Sequence, residues 1–380
     1  MKNKFKYGIT FFLAIAIVIV SINLFEPNKE QKVRGNIEIL VNEDYYEYLK
    51  ECADSFMEDN IKANIQVREI NDYEYVDNIN TQIQQGKLTN IAQLDRLELE
   101  KISLENFKFY DEISKTVETY SKNFATVRLN EVKIDNHIIG VPLSSRPLVL
   151  YLREDMLNQY GYHSEDISTW NDIINIGKDI YNKSNGNIKI LNATGKDYDD
   201  LVSLLIMQYL DEDNSIDIIK NKVENKIQQL KDNNILNLNE GNEFLARISS
   251  INGMKELMSL DKPCEWFCTN PPSKEVGTNR FFCAEGDNLI VLDQNNENQR
   301  LIQKFITFVI TNNKDTIKYI KKGNFFSSYL YTYKNVEIED QVKNFKGKSP
   351  LVIMSNAQEK APEVKDYEKY IKIKTQMLNY

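Results

Sequence analysis

The chain has 380 residues, of which 42% are hydrophobic and 11% aromatic, and its formal net charge is −9. This composition is typical of a globular protein long enough for two hydrophobic cores, and it excludes a disordered chain. The negative net charge argues against a nucleic-acid partner, because phosphates require a basic protein face.

The N-terminus has the pattern of an export signal. Three lysines, Lys2, Lys4 and Lys6, precede an uncharged run at residues 7–25, which as a helix is about 28 Å long and close to the thickness of a bilayer core. Positive residues before such a run predict that the remainder of the chain is exported. We favour a retained membrane anchor over a cleaved signal peptide, because no small-residue cleavage pair follows the run. The polar residues that follow form a short tether, so that residues 1–34 together are anchor and tether.

The segment after the tether alternates between strand and helix patterns. Ile37, Ile39 and Val41 alternate as in a strand, and Gly86 is a natural end for a later helix. The order strand-helix-strand-helix-strand predicts a parallel sheet with helices on its faces and therefore an α/β fold. The predicted elements are strands at 36–41, 63–70 and 89–95 and helices at 45–60 and 73–86.

Further elements follow in the middle and C-terminal parts. Thr169 is a plausible helix cap because Asp172 stands three residues later, and Trp170 begins the buried stripe of that helix. Residues 201–231 predict two helices around a polar turn. A turn at 285–288 leads into a strand, and an amphipathic helix covers the following segment around Phe305.

A polar interruption stands out at residues 140–155, which have the sequence GVPLSSRPLVLYLRED. Ser144, Ser145 and Arg146 separate two apolar stretches, with a proline on each side. A strand that served only as core would not place two hydroxyls and a guanidinium there. We interpret these three residues as candidates for binding a ligand.

The four cysteines leave alternatives open. Outside the membrane, Cys52, Cys264, Cys268 and Cys283 allow three disulfide connectivities. A metal site is disfavoured, because the C-x3-C spacing with one further cysteine and no nearby histidine is a poor zinc pattern. Packing alone accounts for Cys52, which falls on the apolar face of a predicted helix.

Several of these stretches together resemble a known family. Residues 138–157 followed by 167–180, IIGVPLSSRPLVLYLREDML and ISTWNDIINIGKDI, are similar to the segment that crosses between lobes in the extracellular solute-binding proteins of ABC importers. The likeness is greatest to family 1, whose members bind maltose and other oligosaccharides. TNIAQLDR, EFLARISSINGM and the segment from Gly286 to Ile310 resemble other segments of that family in the same order.

The chain also departs from the family pattern. The lipid-attachment cysteine is missing, and Asn90 replaces the usual aspartate. The tryptophan of many sugar binders is replaced by Met254 and Lys255. The proline that often follows the late helix in this family is also absent, and the chain has the sequence GNFFSS there.

The resemblance implies a type II periplasmic-binding-protein-like fold with two doubly wound lobes joined by a hinge. It assigns residues 35–142 and 271–320 to lobe I, and residues 143–270 and 321–380 to lobe II. Ligands of such folds bind between the domains and beyond the carboxyl ends of strands. The candidate ligand-binding residues are Asp95, Arg96, Ser144, Ser145, Arg146, Tyr198, Gly286, Asp287 and Asn288.

Each candidate also has a purely structural explanation. For Arg146 the structural alternative is pairing with a surface acid, and for Asp95 and Arg96 it is a strand-end salt bridge. The turn at Gly286 requires no ligand. Tyr198 is a candidate for stacking on a sugar ring, whereas Trp266 and Trp170 are expected in the core.

The leading functional hypothesis is a binding protein that closes two lobes on a small polar solute, a carbohydrate by resemblance, and delivers it to an ABC permease. It requires no cofactor, metal or catalytic residue, and we expect a monomer at the outer face of the membrane. One alternative is an anchored sensor with the same fold that presents the solute to a signalling partner. Further alternatives are an exported hydrolase using paired carboxylates and a ferric-ion binder, which the 21 tyrosines suggest. The ferric-ion binder is disfavoured, because Tyr45 and Tyr46 fall on a first-lobe helix and two histidines supply few nitrogen ligands.

Overall fold

The computed structural model describes residues 32–102, 111–134, 137–210, 213–261, 263–292 and 297–378. The apolar run predicted to be a membrane anchor lies outside these ranges. Within them, none of the helices combines the length and the apolar character needed to cross a bilayer.

The first lobe is built on a mixed sheet. Strand β1 pairs in parallel with β2 and β3, as predicted, whereas β13 is antiparallel to both β3 and β6. The strand order among the described residues is β2-β1-β3-β13-β6. The strands are β1 (Arg34–Val41), β2 (Lys62–Glu69), β3 (Ile91–Leu94), β6 (Gly140–Pro142) and β13 (Asn288–Val291).

The second lobe has its own sheet. Strand β7 lies at its centre and pairs antiparallel with β10, β11 and β12, and the main strand order is β14-β11-β7-β10-β8-β9. A small hairpin, β4 (Lys133–Ile134) with β5 (His137–Ile138), stands apart. The strands of the second sheet are β7 (Arg146–Arg153), β8 (Leu191–Asn192), β9 (Leu236–Asn237), β10 (Ala246–Ser249), β11 (Trp266–Thr269), β12 (Phe282–Ala284) and β14 (Phe345–Lys346).

Helices cover both sheets. They are α1 (Glu43–Asp59), α2 (Asp72–Gln85), α3 (Arg96–Glu100), α4 (Asp111–Tyr120), α5 (Thr126–Glu131), α6 (Glu154–Gln159), α7 (Trp170–Lys183), α8 (Lys196–Tyr209), α9 (Ile216–Asp232), α10 (Ile251–Ser259), α11 (Gln299–Thr311), α12 (Asn313–Lys321), α13 (Pro350–Lys360) and α14 (Tyr367–Leu378). The predicted cap of α7 is present, because Thr169 Oγ1 accepts from Asp172 N at 3.2 Å and Asp172 Oδ2 accepts from Thr169 N at 2.7 Å.

Three consecutive apolar residues at the end of β1 explain why its sheet is covered on both faces. Ile39 and Val41 pack in one core with α1 and α11, whereas Leu40 packs in another core with Tyr75 of α2. Successive side chains of a strand point to opposite faces, so a strand apolar at every position requires helices on both sides. The run from Ile39 to Val41 therefore favours a doubly wound sheet.

The chain passes between the lobes in three adjacent crossover segments. Residues 143–145 connect β6 to β7, and residues 285–287 connect β12 to β13. In the third, Phe325 packs in the first-lobe core and Phe326 in the second. Backbone hydrogen bonds hold the three segments together, from Ser144 N to Asp287 O at 3.0 Å and from Ser145 N to Phe326 O at 2.7 Å.

The second crossover lies later in the chain than the sequence suggests. Residues 271–284, which the sequence analysis assigns to lobe I, contribute β12 to the second sheet, where Phe282 faces Leu148 of β7. Phe282 and Ala284 also belong to the second-lobe core. The proline-containing stretch before β12 has the composition of a linker between lobes. The pairing of β12 with β7 shows, however, that the chain is still in the second lobe there and crosses to the first lobe only after β12.

Candidate functional site

A cleft lies between the lobes, and the three crossover segments contribute to its lining. Its volume is about 390 Å³, and it receives side chains from the ends of β1 and β3, from the beginnings of α8 and α10, and from α14. We call this the interlobe cleft. Its lining residues are Asn42, Asp44, Tyr45, Asp95, Leu97, Glu98, Lys101, Ser144, Ser145, Arg146, Lys196, Asp199, Ile251, Asn252, Glu285, Gly286, Asp287, Asn324, Phe325, Phe326 and Lys374.

Six of the nine residues predicted from the sequence line the interlobe cleft together, although they come from three separate segments of the chain. These six are Asp95, Ser144, Ser145, Arg146, Gly286 and Asp287.

Asp95 occupies the carboxyl end of β3. Its Oδ1 accepts from Glu98 N at 2.7 Å, and its own N–H donates to Glu98 Oε2 at 2.9 Å, which forms a capping box at the start of α3. Burial raises the pKa of the Asp95 carboxyl, and the negative charge of Asp287 raises it further. The carboxylate is therefore held in place by the backbone but destabilised by its surroundings.

Asp287 is the best-supported acid of the cleft. Its Oδ1 accepts from Gln93 Nε2 at 2.6 Å, and its Oδ2 lies 2.5 Å from the Tyr45 hydroxyl and 3.1 Å from Ser144 Oγ. Burial raises the pKa of Tyr45 well above its ordinary value, and so does Asp287. These contacts lock Ser144 into the crossover, so that its hydroxyl orients Asp287.

Arg146 lies in a buried ion cluster. Its Nη1 donates to Glu285 Oε1 at 3.1 Å, and its Nη2 pairs with Asp200. Glu285 also accepts from the Tyr370 hydroxyl at 2.6 Å and pairs with Lys374. We call Arg146, Asp200, Glu285 and Lys374 the hinge ion cluster.

The predicted acidic partner of Arg146 exists, but its location differs from the prediction. Asp200 and Glu285 are buried acids of the second lobe and the second crossover, not surface residues. The Arg146 side chain nevertheless keeps 29% exposure and lines the interlobe cleft. Burial lowers the pKa of Lys374 to about 7, with a further contribution from the charge of Arg146.

Ser145 and Gly286 fill different needs at the crossover. The Ser145 side chain is buried, and it acts on the neighbouring Cys283 thiol, opposing the rise in the pKa of Cys283 that burial causes. A Cβ atom at Gly286 would lie 2.4 Å from the Ser144 carbonyl oxygen. The close approach of two crossover segments therefore requires glycine at position 286, independently of any ligand.

Arg96 does not line the interlobe cleft, because its side chain has other partners. It is 3% exposed and pairs with Glu100 of α3 at 2.8 Å and with Glu368 of α14 at 2.5 Å. Its Nη1 also donates to the carbonyl oxygens of Glu131 and Lys133. The alternative in the sequence analysis was a strand-end salt bridge of Asp95 and Arg96, whereas the acidic partners of Arg96 in the structure are Glu100 and Glu368.

Asn288 and Tyr198 also lie outside the lining. Asn288 is 1% exposed, accepts from Arg128 Nη2 at 2.8 Å and donates to Leu94 O at 3.2 Å, so it holds two strands together. Tyr198 packs against the second-lobe core, and burial raises its pKa, with Asp199 and Glu224 of α9 contributing. Tyr198 therefore takes part in the packing of the second lobe and does not line the interlobe cleft.

Sequence reasoning missed the residues at the helix starts that border the interlobe cleft. Helices α1, α8 and α10 begin there, and their caps Asn42, Gly195 and Ser250 form no side-chain capping bond. The first-turn N–H groups of a helix lack intrahelical acceptors and suit polar ligands. A polar residue just after a predicted strand, such as Asn42, was the available signal.

Nothing in the sequence around Lys374 indicated that it lines the cleft, because α14 reaches the cleft only through tertiary packing.

The aromatic lining residues are all buried, since Tyr45 is 4%, Phe325 2% and Phe326 0% exposed. Trp170 and Trp266 are core residues, as predicted.

None of the cysteines in the described part of the chain forms a disulfide. Cys52, Cys268 and Cys283 are buried, and Cys264 is partly exposed. Cys52 lies on the buried face of α1 and packs in the first-lobe core, as predicted. Among the described residues no group of His, Cys, Asp and Glu side chains has the arrangement of a metal site.

Comparison with known proteins gives a family and a fold. The sequence profile described as bacterial extracellular solute-binding protein matches residues 51–346. A lactose-binding protein of Rhizobium radiobacter is 31% identical over 105 residues. That match covers 26% of this chain and only 24% of the relative.

Solved structures agree with the predicted fold class. The sugar-binding protein MalE of Xanthomonas citri superposes with a TM-score of 0.73 at 13% identity and 90% coverage of both chains. The cyclic alpha-maltosyl-1,6-maltose binding protein of Arthrobacter globiformis gives 0.68 at 13% identity, with 91% of this chain and 94% of that chain covered. An ABC substrate-binding protein of Listeria monocytogenes in complex with cycloalternan gives 0.61 at 14% identity, with 90% and 94% covered. The two-lobed α/β prediction is confirmed.

Proposed function

This chain belongs to the bacterial extracellular solute-binding proteins, and from that premise we propose that it binds a small carbohydrate between its lobes and delivers it to an ABC permease. The observation that carries the proposal is the interlobe cleft, which is lined by both lobes and by all three crossover segments. A ligand that touches both lobes favours the closed arrangement, since it binds that arrangement more tightly than the open one.

The lining supports a polar solute of modest size. The cleft volume of about 390 Å³ is in the lower part of the usual range for small-molecule sites. Amides, hydroxyls and carboxylates dominate the lining, and such groups recognise sugar hydroxyls through hydrogen bonds. The names of the lactose-binding relative and of the sugar-binding structural neighbours support the carbohydrate class.

Two carboxylates of the cleft, Asp95 and Asp287, fit the binding of a sugar better than they fit its hydrolysis. A glycosidase uses one carboxyl group as acid and a second as nucleophile or base, and both must reach the substrate. Here Asp287 uses both of its oxygens on Gln93, Tyr45 and Ser144. We therefore assign Asp287 to positioning and recognition.

Family membership supports the proposed partner and location. Delivery to a permease takes place at the outer face of the membrane, where residues 7–25 act as a retained anchor in this proposal. The protein works as a monomer, because one chain supplies both walls of the interlobe cleft.

Calorimetric titration of the full chain with a panel of monosaccharides and disaccharides tests the proposal. The detergent must lack a sugar head group, which would compete for the cleft. We expect at least one saccharide to bind with a 1:1 stoichiometry, and we expect Arg146→Ala and Asp95→Ala to weaken it about tenfold or more.

Tyr198→Phe is the matched control and is expected to bind normally, since Tyr198 does not line the cleft. Conversion of an offered saccharide into a product would show that the protein is an enzyme and would contradict the proposed binding function. If both cleft variants bound the saccharide with the affinity of the parent protein, the binding site would have to lie outside the interlobe cleft.

A further inference from the structure

A buried glutamine lies inside the first-lobe sheet, close to the interlobe cleft. Gln93 stands in β3 between Ala92 and Leu94, and it is 1% exposed. The other residues of this strand are apolar, and burial of a side-chain amide costs free energy unless its polar atoms are hydrogen bonded. A glutamine at this position therefore requires specific partners.

Both polar atoms of the Gln93 amide have a partner, and both partners line the interlobe cleft. Gln93 Oε1 accepts from the backbone N–H of Asn42 at 3.0 Å, and its Nε2 donates to Asp287 Oδ1 at 2.6 Å. Asn42 directly precedes α1, whereas Asp287 lies in the second crossover segment. A single amide thus connects the beginning of a helix to the crossover.

The contacts close into a ring through α1. Tyr45 lies in the first turn of that helix, and its hydroxyl is 2.5 Å from Asp287 Oδ2. Gln93 holds the beginning of the same helix, so the two oxygens of Asp287 are fixed from two directions. Because Tyr45 and Gln93 are both buried, their ends of these bonds are held by packing as well.

The ring leaves capacity for a ligand on one oxygen of Asp287. A carboxylate has about four lone-pair sites. Among the described residues, Tyr45 and Ser144 donate to Oδ2, whereas Oδ1 accepts one bond, from Gln93. Since Asp287 lines the interlobe cleft, the remaining lone pair of Oδ1 suits a hydroxyl group of the solute.

We propose that Gln93 is a positioning residue for solute binding, which holds the Asp287 carboxylate in the orientation that accepts from a solute hydroxyl through Oδ1. This inference rests on the proposed function and adds a residue that does not line the cleft. Fixing the acceptor before the solute arrives reduces the entropy cost of binding. An ionised glutamate would not serve, because only the amide offers an acceptor to Asn42 and a donor to Asp287 together.

Two substitutions separate positioning from a merely structural role. Gln93→Glu keeps the size of the side chain but replaces the donor by an acceptor, so that a second carboxylate repels Asp287. Gln93→Met removes both hydrogen bonds without adding a charge. Calorimetry on the full chain with glucose, galactose, maltose and lactose measures stoichiometry and affinity separately. A partly unfolded variant loses stoichiometry, whereas a folded variant with a misplaced Asp287 loses affinity.

We expect Gln93→Glu to bind the tightest of these sugars about tenfold or more weakly than the parent does at about pH 8. The deficit relative to the parent should shrink towards about pH 5, because one of the two facing carboxyls then takes up a proton and can donate to the other. Gln93→Met should show an equal deficit at both pH values. Gln84→Glu adds the same charge at an exposed position of α2 and is the matched control, which should bind as the parent does.

Parental affinity in both Gln93 variants would overturn the assignment and leave the carbohydrate function intact, even if both variants were less stable. A deficit of Gln93→Glu that is the same at both pH values would also contradict an action through Asp287. If the parent binds none of the four sugars, the proposed function and this inference both fail.

Discussion

Two arginines contact the crossover segments, one from each lobe, and they differ in exposure. Arg128 of α5 has a side-chain exposure of 0%, whereas that of Arg146 is 29%. Arg128 donates to Ser144 O at 2.9 Å and to Asn288 Oδ1 at 2.8 Å, and it pairs with the buried Glu131. Arg146 pairs with acids too, but one edge of it faces the interlobe cleft.

The comparison shows that the same residue type at the same hinge serves two purposes. A fully buried guanidinium can act only on the protein, and Arg128 fixes the first-lobe ends of two crossovers. A guanidinium at the cleft surface can also act on a ligand. Burial, which a single sequence does not reveal, separates the two roles.

The largest expected effect is on stability, at Arg128. Arg128→Ala leaves Glu131 as an uncompensated buried charge and removes the bonds to two crossovers, at a cost of about 3–5 kcal/mol. Urea denaturation measures the loss. Arg128→Met combined with Glu131→Gln removes both charges and should recover most of the stability. An Arg128→Ala protein as stable as the parent would contradict this account of the hinge.

Arg146→Ala is expected to cost less stability and to weaken ligand binding. Lys374 remains beside Glu285, and Asp200 keeps the hydrogen bond from Ser249 and the nearby charge of Lys374, so the loss of free energy of unfolding is about 2 kcal/mol. Arg146→Lys keeps the charge but not the two-acid geometry, and it should lie between the parent and the alanine variant. Denaturation and calorimetry on the same preparations separate the two effects. Loss of stability with unchanged affinity would make Arg146 as purely structural as Arg128.

The smallest expected effect is a pH dependence from Lys374, whose pKa burial lowers to about 7. The unfolded chain keeps this proton up to about pH 10, so it binds more protons than the folded protein between these two values. The contribution of Lys374 to stability therefore rises with pH from about 7 to 10, on the order of 1 kcal/mol between pH 7 and 8.

Denaturation of the parent and of Lys374→Met at pH 7 and pH 8 measures this contribution as the difference between the two proteins. The charged groups that act on Lys374 are Arg146, Glu285, Asp95, Asp199 and Asp200. A difference that falls with rising pH would show that pairing with Glu285 outweighs burial.

Local patterns predicted the elements well. The alternation of Ile37, Ile39 and Val41 produced β1, and Thr169 with Asp172 produced the capping box of α7. These signals are reliable because they depend on side-chain direction and on bonds between residues close in the chain. The site was predicted in part, since Asp95 and Asp287 follow or precede strands whose ends meet at one edge.

The remaining part of the site depends on contacts between residues far apart in the chain. Arg96 and Asp95 are neighbours in sequence, but Arg96 is drawn to Glu368 of α14, 272 positions later, while Asp95 caps α3 at the cleft. Tyr198 likewise turns away from the cleft because its helix packs against α9.

The sequence by itself determined the α/β elements, because periodicity, caps and turns are local properties, and its resemblance to a known family implied the two lobes and the polar crossover at Ser144, Ser145 and Arg146. Only the tertiary structure decided which polar side chains face the interlobe cleft and which ones form hydrogen bonds or ion pairs inside the protein instead. That choice depends on burial and on the distances between charges such as Lys374 and Glu285, which are set when helices and strands from distant segments pack together.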